Sequence, residues 1–322
     1  MTKSTPINEI FDQYQKYRHA LQMKPQAHGI SGFVNWICRR HQNNPILLQE
    51  DVDEWFKKRD TESENTHYTR TVHLRHFLKF AIDHGLTDII IPNIKSKGSY
   101  SMKSVVLMTE EEIVNFFKAI DEKPLCFTNK ERYIMGITEQ TIYRLLYSSG
   151  MRPNEARLLS VDDIDLETGV ITIRETKGYN QHINVLCDSM LDLMKQYDEA
   201  VSDIIPKRRY FFHNPHSDEG YYTANWLGRR FSLSWHKYNN TDAVVYGFRH
   251  HYAIVNINSW SGLGFEVSMN KLLTLSRSMG HTKLKHTLYY YSLVPQYAEK
   301  LEELSAESLK KIIHKTIDYE EI

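Results

Sequence analysis

The 322-residue chain carries 40 Lys and Arg against 40 Asp and Glu, a formal net charge of zero with histidines neutral, which argues against a nonspecific polyanion binder acting through overall charge. Its length suggests about two domains, each able to bury a core, and its three isolated cysteines, Cys38, Cys126 and Cys187, indicate neither a disulfide framework nor a paired-cysteine metal site. No apolar stretch has membrane-spanning length, and the opening MTKSTPINEIFDQYQKY lacks the apolar core of a secretion signal, so a reducing, cytoplasmic setting without membrane partners is expected.

The first hundred residues read as helices separated by short polar breaks. Ile7, Ile10, Phe11, Tyr14 and Tyr17 fall at helical spacing, as do Phe33, Trp36 and Ile37. QEDVDEWFKKRD is a third helix, with acids first and bases last, as the helix dipole favours. A fourth runs through SENTHYTRTVHLRHFLKFAIDHGL. There Val72, Leu74, Phe77, Leu78 and Ala81 make an apolar stripe, and Gly85 is the expected stop. Its polar face carries Arg70, His73, Arg75, His76 and Lys79; four of these, Arg70, His73, Arg75 and Lys79, are candidate DNA contacts, although such a face is more often simply solvated. Residues 1–106 hold about 15 basic and 11 acidic side chains, so the front of the chain is its more basic part.

Residues 93–104, NIKSKGSYSMKS, have no periodicity and place Lys95 and Lys97 where a connector could cross a nucleic-acid backbone. The expected organisation is a helical domain over 1–97, a linker over 98–106, a second domain over 107–297 and a C-terminal helix and tail over 298–322. MTEEEIVNFFKAID opens the second domain as a clear helix start. Two helices broken at Gly150 follow. Then comes the one β region, where Val170, Thr172 and Arg174 alternate with Ile171, Ile173 and Glu175, the turn TKGYN follows, and Ile183, Val185 and Leu186 form a second run. The remainder reads as helical, so the fold class is mainly α with a small β-sheet.

In YSSGMRPNEARLL, Arg152 opens a helix after a glycine turn and Glu155 follows three residues later, a spacing that orients the guanidinium. By itself this is the pattern of an ordinary surface pair. Taken with TKG in a hairpin turn, YGFRHHYAI, MGH and TLYYYSL, in that order and approximate spacing, the chain resembles the tyrosine recombinase (phage integrase) family over nearly its whole length. Within that family it is most similar to integrases of bacterial mobile elements. The resemblance implies a two-domain DNA clamp, with a SAM-like α-helical core-binding domain and a tyrosine-recombinase catalytic domain.

Carried over residue by residue, the resemblance implies Arg152 and Arg249 as the paired arginines, Lys177 as the hairpin lysine, His281 as the histidine of the GH motif, and Tyr290, nine residues later, as nucleophile. Glu155 supports Arg152. Two guanidiniums and an imidazole N–H suit the charge that develops on a phosphodiester under attack, and the cations are expected to draw the phenol, ordinarily near pKa 10, toward its phenolate. Lys177 would protonate the leaving 5′ oxygen. The chain departs from the family at Tyr246, where histidine is usual; a neutral phenol donates to the phosphate more readily than it accepts a proton. No cofactor or metal is implied, and Cys38 with His41 or His250 with His251 lacks a second cluster at metal-site spacing.

The implied partners are double-stranded DNA at specific sites, a homotetramer on DNA formed from a monomer or weak dimer, and accessory recombinase subunits, with the bacterial nucleoid as working location. The segment after residue 298 is expected to dock on a neighbouring protomer. Two competitors share the residue set: a type IB topoisomerase, and a DNA-binding accessory protein that has lost catalysis.

Overall fold

The computed structural model describes residues 5–23, 29–42, 45–93, 107–174, 181–260 and 263–291. The chain forms two compact units, residues 1–103 and 104–322.

In the first unit, helices α1 (Ile7–Ala20), α2 (Ile30–Arg40), α3 (Gln49–Phe56) and α4 (Glu64–Asp83) close on one apolar core. Ile7, Ile10, Phe33, Ile37, Phe77 and Leu78 are fully buried there. Helix α4 starts where the Ser63 hydroxyl accepts from the Thr66 N–H and stops at Gly85, whose positive φ of 63° lets the Leu86 N–H reach back to the Ala81 carbonyl. The stripe is shifted from the expected one: Thr71 and Phe80 are buried with Leu74, Phe77, Leu78 and Ala81, while Val72 is half-buried.

The second unit is built on α5 (Glu110–Asp121), α6 (Lys130–Ser149), the short α7 (Pro153–Arg157), α8 (Asp188–Ser202), α9 (Ala224–Trp235), α10 (Gly247–Asn258), α11 (Phe265–Ser278) and α12 (Lys285–Tyr291). A reciprocal capping box between Thr109 and Glu112 starts α5. Phe116, Tyr143, Phe231, Trp235 and Phe248 form its aromatic core. The sheet has three antiparallel strands in the order β1 (Ile164–Asp165), β2 (Val170–Ile173), β3 (His182–Val185). Ile171 and Ile173 point inward as the alternation predicts, whereas on β3 the inward residue is Asn184, leaving Ile183 and Val185 exposed. Asn184 is satisfied because its amide donates to the Ser149 carbonyl at the end of α6, 2.9 Å away. A smaller apolar cluster joins Ala253 and Ile257 of α10, Leu272 and Leu275 of α11, Met279 and Tyr290, and so holds α12 against α10 and α11.

Candidate active site

Helix α6 ends at Gly150, in the left-handed region with φ of 64°, and a Cβ there would overlap the Tyr252 ring. The reversal sets Arg152 at the N-cap of α7, with Pro153 at the first helical position. Both oxygens of Glu155 are used: Oε2 accepts from the Arg152 main-chain N–H at 2.8 Å and Oε1 from the guanidinium at 2.6 Å. Glu155 is only 4% exposed, so this is no ordinary surface pair. The other arm of Arg152 donates to the Gly280 carbonyl, 3.0 Å away.

Arg249, in the first turn of α10, is 1% exposed. It donates to the carbonyls of Gly150 at 2.7 Å and Met279 at 2.6 Å, and to Nε2 of His281 at 2.9 Å. Its Nε is buried with no partner. No carboxylate among the described residues pairs with it; the acid of the site, Glu155, is bonded to Arg152 instead. Burial first, and then the neighbouring Arg152, lower the Arg249 pKa. A buried cation held by carbonyls and lacking a counterion is costly, and it marks a place prepared for an anion.

His281 follows Gly280, which turns the chain out of α11 with φ of 61°. Its Nδ1 lies 2.7 Å from the Thr287 hydroxyl. Burial, reinforced by Arg249 and Arg152, pushes its pKa down to about 3, so the ring is neutral at pH 7. Tyr290 is 4% exposed, with its ring parallel to His281 at 6.3 Å and near His250 at 5.6 Å. Arg249 and Arg152 pull toward the phenolate as expected, but burial is the largest influence and outweighs them, raising the Tyr290 pKa to about 12. Tyr246 caps the start of α10, exposed at 39%, with its ring edge toward His250.

Arg249, His281 and Tyr290 are thus linked by direct contacts or ring neighbours, the Arg152–Glu155 pair joins them through the Gly280 carbonyl next to His281, and Tyr246 reaches Tyr290 by way of His250. Lys177, Lys95, Lys97 and the segment 298–322 lie outside the described residues. On α4, Arg75 and Lys79 are exposed and His73 is half-buried. Arg70 is not a free cation: its guanidinium binds Glu62 through two arms and the carbonyls of Trp55 and Lys57. That bond holds Glu62 down to about 2, so Arg70 braces the turn before α4 rather than standing ready for a phosphate.

Two contributors escape the sequence reading. Thr287 is fully buried and bonds His281. His182, at the start of β3, sits 3.9 Å from Glu155 Oε2, and its ring occupies the space where a Cβ on Gly280 would lie. The glycine before His281 was the only local signal of that close approach.

Residues 107–296 match the family model described as "Phage integrase family". The putative integrase/recombinase y4rE of Sinorhizobium fredii (strain NBRC 101917 / NGR234) is 22% identical over 298 residues, covering 88% of this chain and 91% of that protein. Tyrosine recombinase XerA of Saccharolobus solfataricus is 28% identical over 174 residues, 53% of this chain and 50% of that protein. Among solved structures, the Tn1549 transposon integrase in complex with transposon right end DNA aligns with a TM-score of 0.56 at 14% identity, covering 92% of this chain and 98% of that one. The XerH recombinase in its post-cleavage complex aligns at 0.55 and 16%, covering 85% and 77%. At these identities the structural likeness speaks for the fold.

Proposed function

This chain belongs to the phage integrase family, and from that premise we propose that it is a site-specific tyrosine recombinase, cutting and rejoining duplex DNA for a mobile element. The observation that carries the reading is Arg249, a buried guanidinium with no carboxylate partner among the described residues, near Arg152 and bonded to His281, whose ring lies parallel to that of Tyr290. A scissile phosphate supplies the missing anion. Tyr290 then attacks phosphorus in line, its phenolic proton passing to solvent, the bond to the 5′ oxygen breaks as the phosphotyrosyl bond forms, and Lys177 protonates the leaving oxygen. Arg152, Arg249 and His281 bind the nonbridging oxygens, and Tyr246 donates to the phosphate. The 3′-phosphotyrosyl bond keeps the energy of the broken phosphodiester, so religation to another 5′ hydroxyl needs neither ATP nor a metal.

The names of the relatives, integrase and recombinase, support DNA as the partner, and a tetramer on two duplexes is the assembly the chemistry of strand exchange requires. The fold, with no helix among the described residues able to cross a membrane, is compatible with a cytoplasmic protein acting at the nucleoid. Arg75 and Lys79 remain the proposed contacts on α4, with His73 beside them and Lys95 and Lys97 in the connector. Covalent trapping on a nicked duplex carrying the end of the element that encodes this chain tests the assignment. Wild type, Tyr289→Phe and Tyr291→Phe should form the adduct, and Tyr290→Phe should not. Tyr246 in place of histidine favours one competing reading, an accessory protein that binds without cutting; specific binding by wild type with no adduct would establish it.

A further inference from the structure

We propose that Thr287 is a positioning residue for strand cleavage: its buried hydroxyl allows His281 to exchange one neutral tautomer for the other when a phosphate enters the site. The proposal rests on the recombinase reading above. A guanidinium has only N–H groups to offer, so the 2.9 Å contact from Arg249 makes His281 Nε2 an acceptor. The ring proton is then on Nδ1, donated to Thr287 Oγ1 at 2.7 Å. In this state His281 turns a lone pair toward Arg249, and a lone pair repels the phosphate oxygen that is to be held there.

To donate to that oxygen, the neutral ring must carry its single proton on Nε2, leaving Nδ1 as an acceptor. The imidazole gains at Nε2 the proton it gives up at Nδ1, by exchange with solvent, and its charge stays at zero. Thr287 is 0% exposed, so the partner already in place must satisfy Nδ1 in both states. A carboxylate or a backbone carbonyl would accept only, and would fix the proton on Nδ1. A hydroxyl rotates from acceptor to donor. In the free protein the low pKa of the ring, about 3, leaves the two neutral tautomers as the states open to it at pH 7. Because Thr287 lies on α12 three residues before Tyr290, the same bond ties the helix of the nucleophile to the histidine that senses the phosphate.

The test uses the full chain labelled with ¹⁵N-histidine, and the nicked and intact duplexes bearing the end of its own element. In the Tyr290→Phe protein, the His281 nitrogens, identified by their loss in His281→Gln, should report an Nδ1–H ring alone and an Nε2–H ring with intact duplex bound. Thr287→Val should bind DNA within about threefold of wild type yet form adduct at least tenfold more slowly, and Thr287→Ser should restore the rate to within about threefold. An Nδ1–H ring that persists on DNA overturns the proposal, as do equal adduct rates for wild type and Thr287→Val, or a rate loss matched by lost binding. A wild type that makes no adduct overturns the recombinase reading itself, a result distinct from all of these.

Discussion

Acidification gives a quantitative check on the polar centre of the site. The His281 pKa falls from an ordinary value near 6.5 to about 3 on folding, because burial, Arg249, Arg152, His286 and His182 all oppose its charge. Between those values the unfolded chain binds a proton that the folded chain refuses, so this contribution to stability is complete above pH 6.5 and is lost as pH falls toward 3. The slope is about 1.4 kcal/mol per pH unit, roughly 2 kcal/mol between pH 6.5 and 5. Since the ring is half-buried, solvent screening reduces that to about 1 kcal/mol. Urea unfolding at pH 7 and pH 5, read by fluorescence in a Trp36→Phe, Trp55→Phe background so that Trp226, Trp235 and Trp260 report, measures it. His281→Gln keeps a neutral acceptor and donor, and should lose about 1 kcal/mol less than its parent between the two pH values. His213, His250 and His251 also have lowered pKa values, but they contribute equally to both proteins and cancel in the comparison. Equal losses in the two proteins would refute the reasoning.

Glu155→Ala removes a carboxylate that is 2% exposed at its side chain and paired with Arg152; the expected cost is about 3 kcal/mol, seen as a lowered urea midpoint with an unchanged m-value. Gly85 and Gly280 share nearly the same positive φ, yet a Cβ meets nothing within 4 Å at Gly85 and lies 2.5 Å from the His182 ring at Gly280. Gly85→Ala should therefore cost about 1 kcal/mol for backbone strain, and Gly280→Ala clearly more, by thermal unfolding. Alkaline titration followed at the phenolate absorbance should show one tyrosine ionising near pH 12 that is missing from Tyr290→Phe. As the folded pKa lies above the unfolded one, stability from Tyr290 is intact below pH 10 and lost between about pH 10 and 12.

The helices were legible because their apolar spacing and end signals agree: Ser63, Thr109, Asn129 and Thr223 all cap where a hydroxyl or amide precedes a periodic run. The short motifs set Arg152, Arg249 and His281 at local landmarks, a glycine turn or a helix start, whereas Tyr290 was singled out only through the family resemblance, nine residues after His281. What stayed hidden depends on contacts between distant segments. Period-two alternation could not reveal that Asn184 faces inward, because the deciding partner is a carbonyl 35 positions away. Nor could spacing show that Arg70 is bound by Glu62 and two carbonyls, or that His182 rests against Gly280. The protonation states were hidden for the same reason: burial outweighs the arginines' pull on Tyr290, and at His281 it adds to their repulsion, and neither burial can be read from residue types alone.

That reversal bears on how the proposed recombinase would avoid cutting at random. With its pKa raised to about 12 by burial, Tyr290 is a neutral phenol at pH 7. Arg249 meanwhile has three of its donor contacts engaged by Gly150, Met279 and His281. Among the described residues the free protein therefore holds the proposed nucleophile neutral, His281 neutral and the Arg249 guanidinium bonded to its own main chain. A phosphate entering the site draws donors from those carbonyls and supplies the counterion that Arg249 lacks, but its negative charge does nothing to ease ionisation of Tyr290. Proton loss from the phenol must then accompany attack instead of preceding it. A recombinase built this way gains specificity from chemistry as well as from binding, because a duplex that docks without seating its phosphate between Arg152 and Arg249 meets a phenol and not a phenolate.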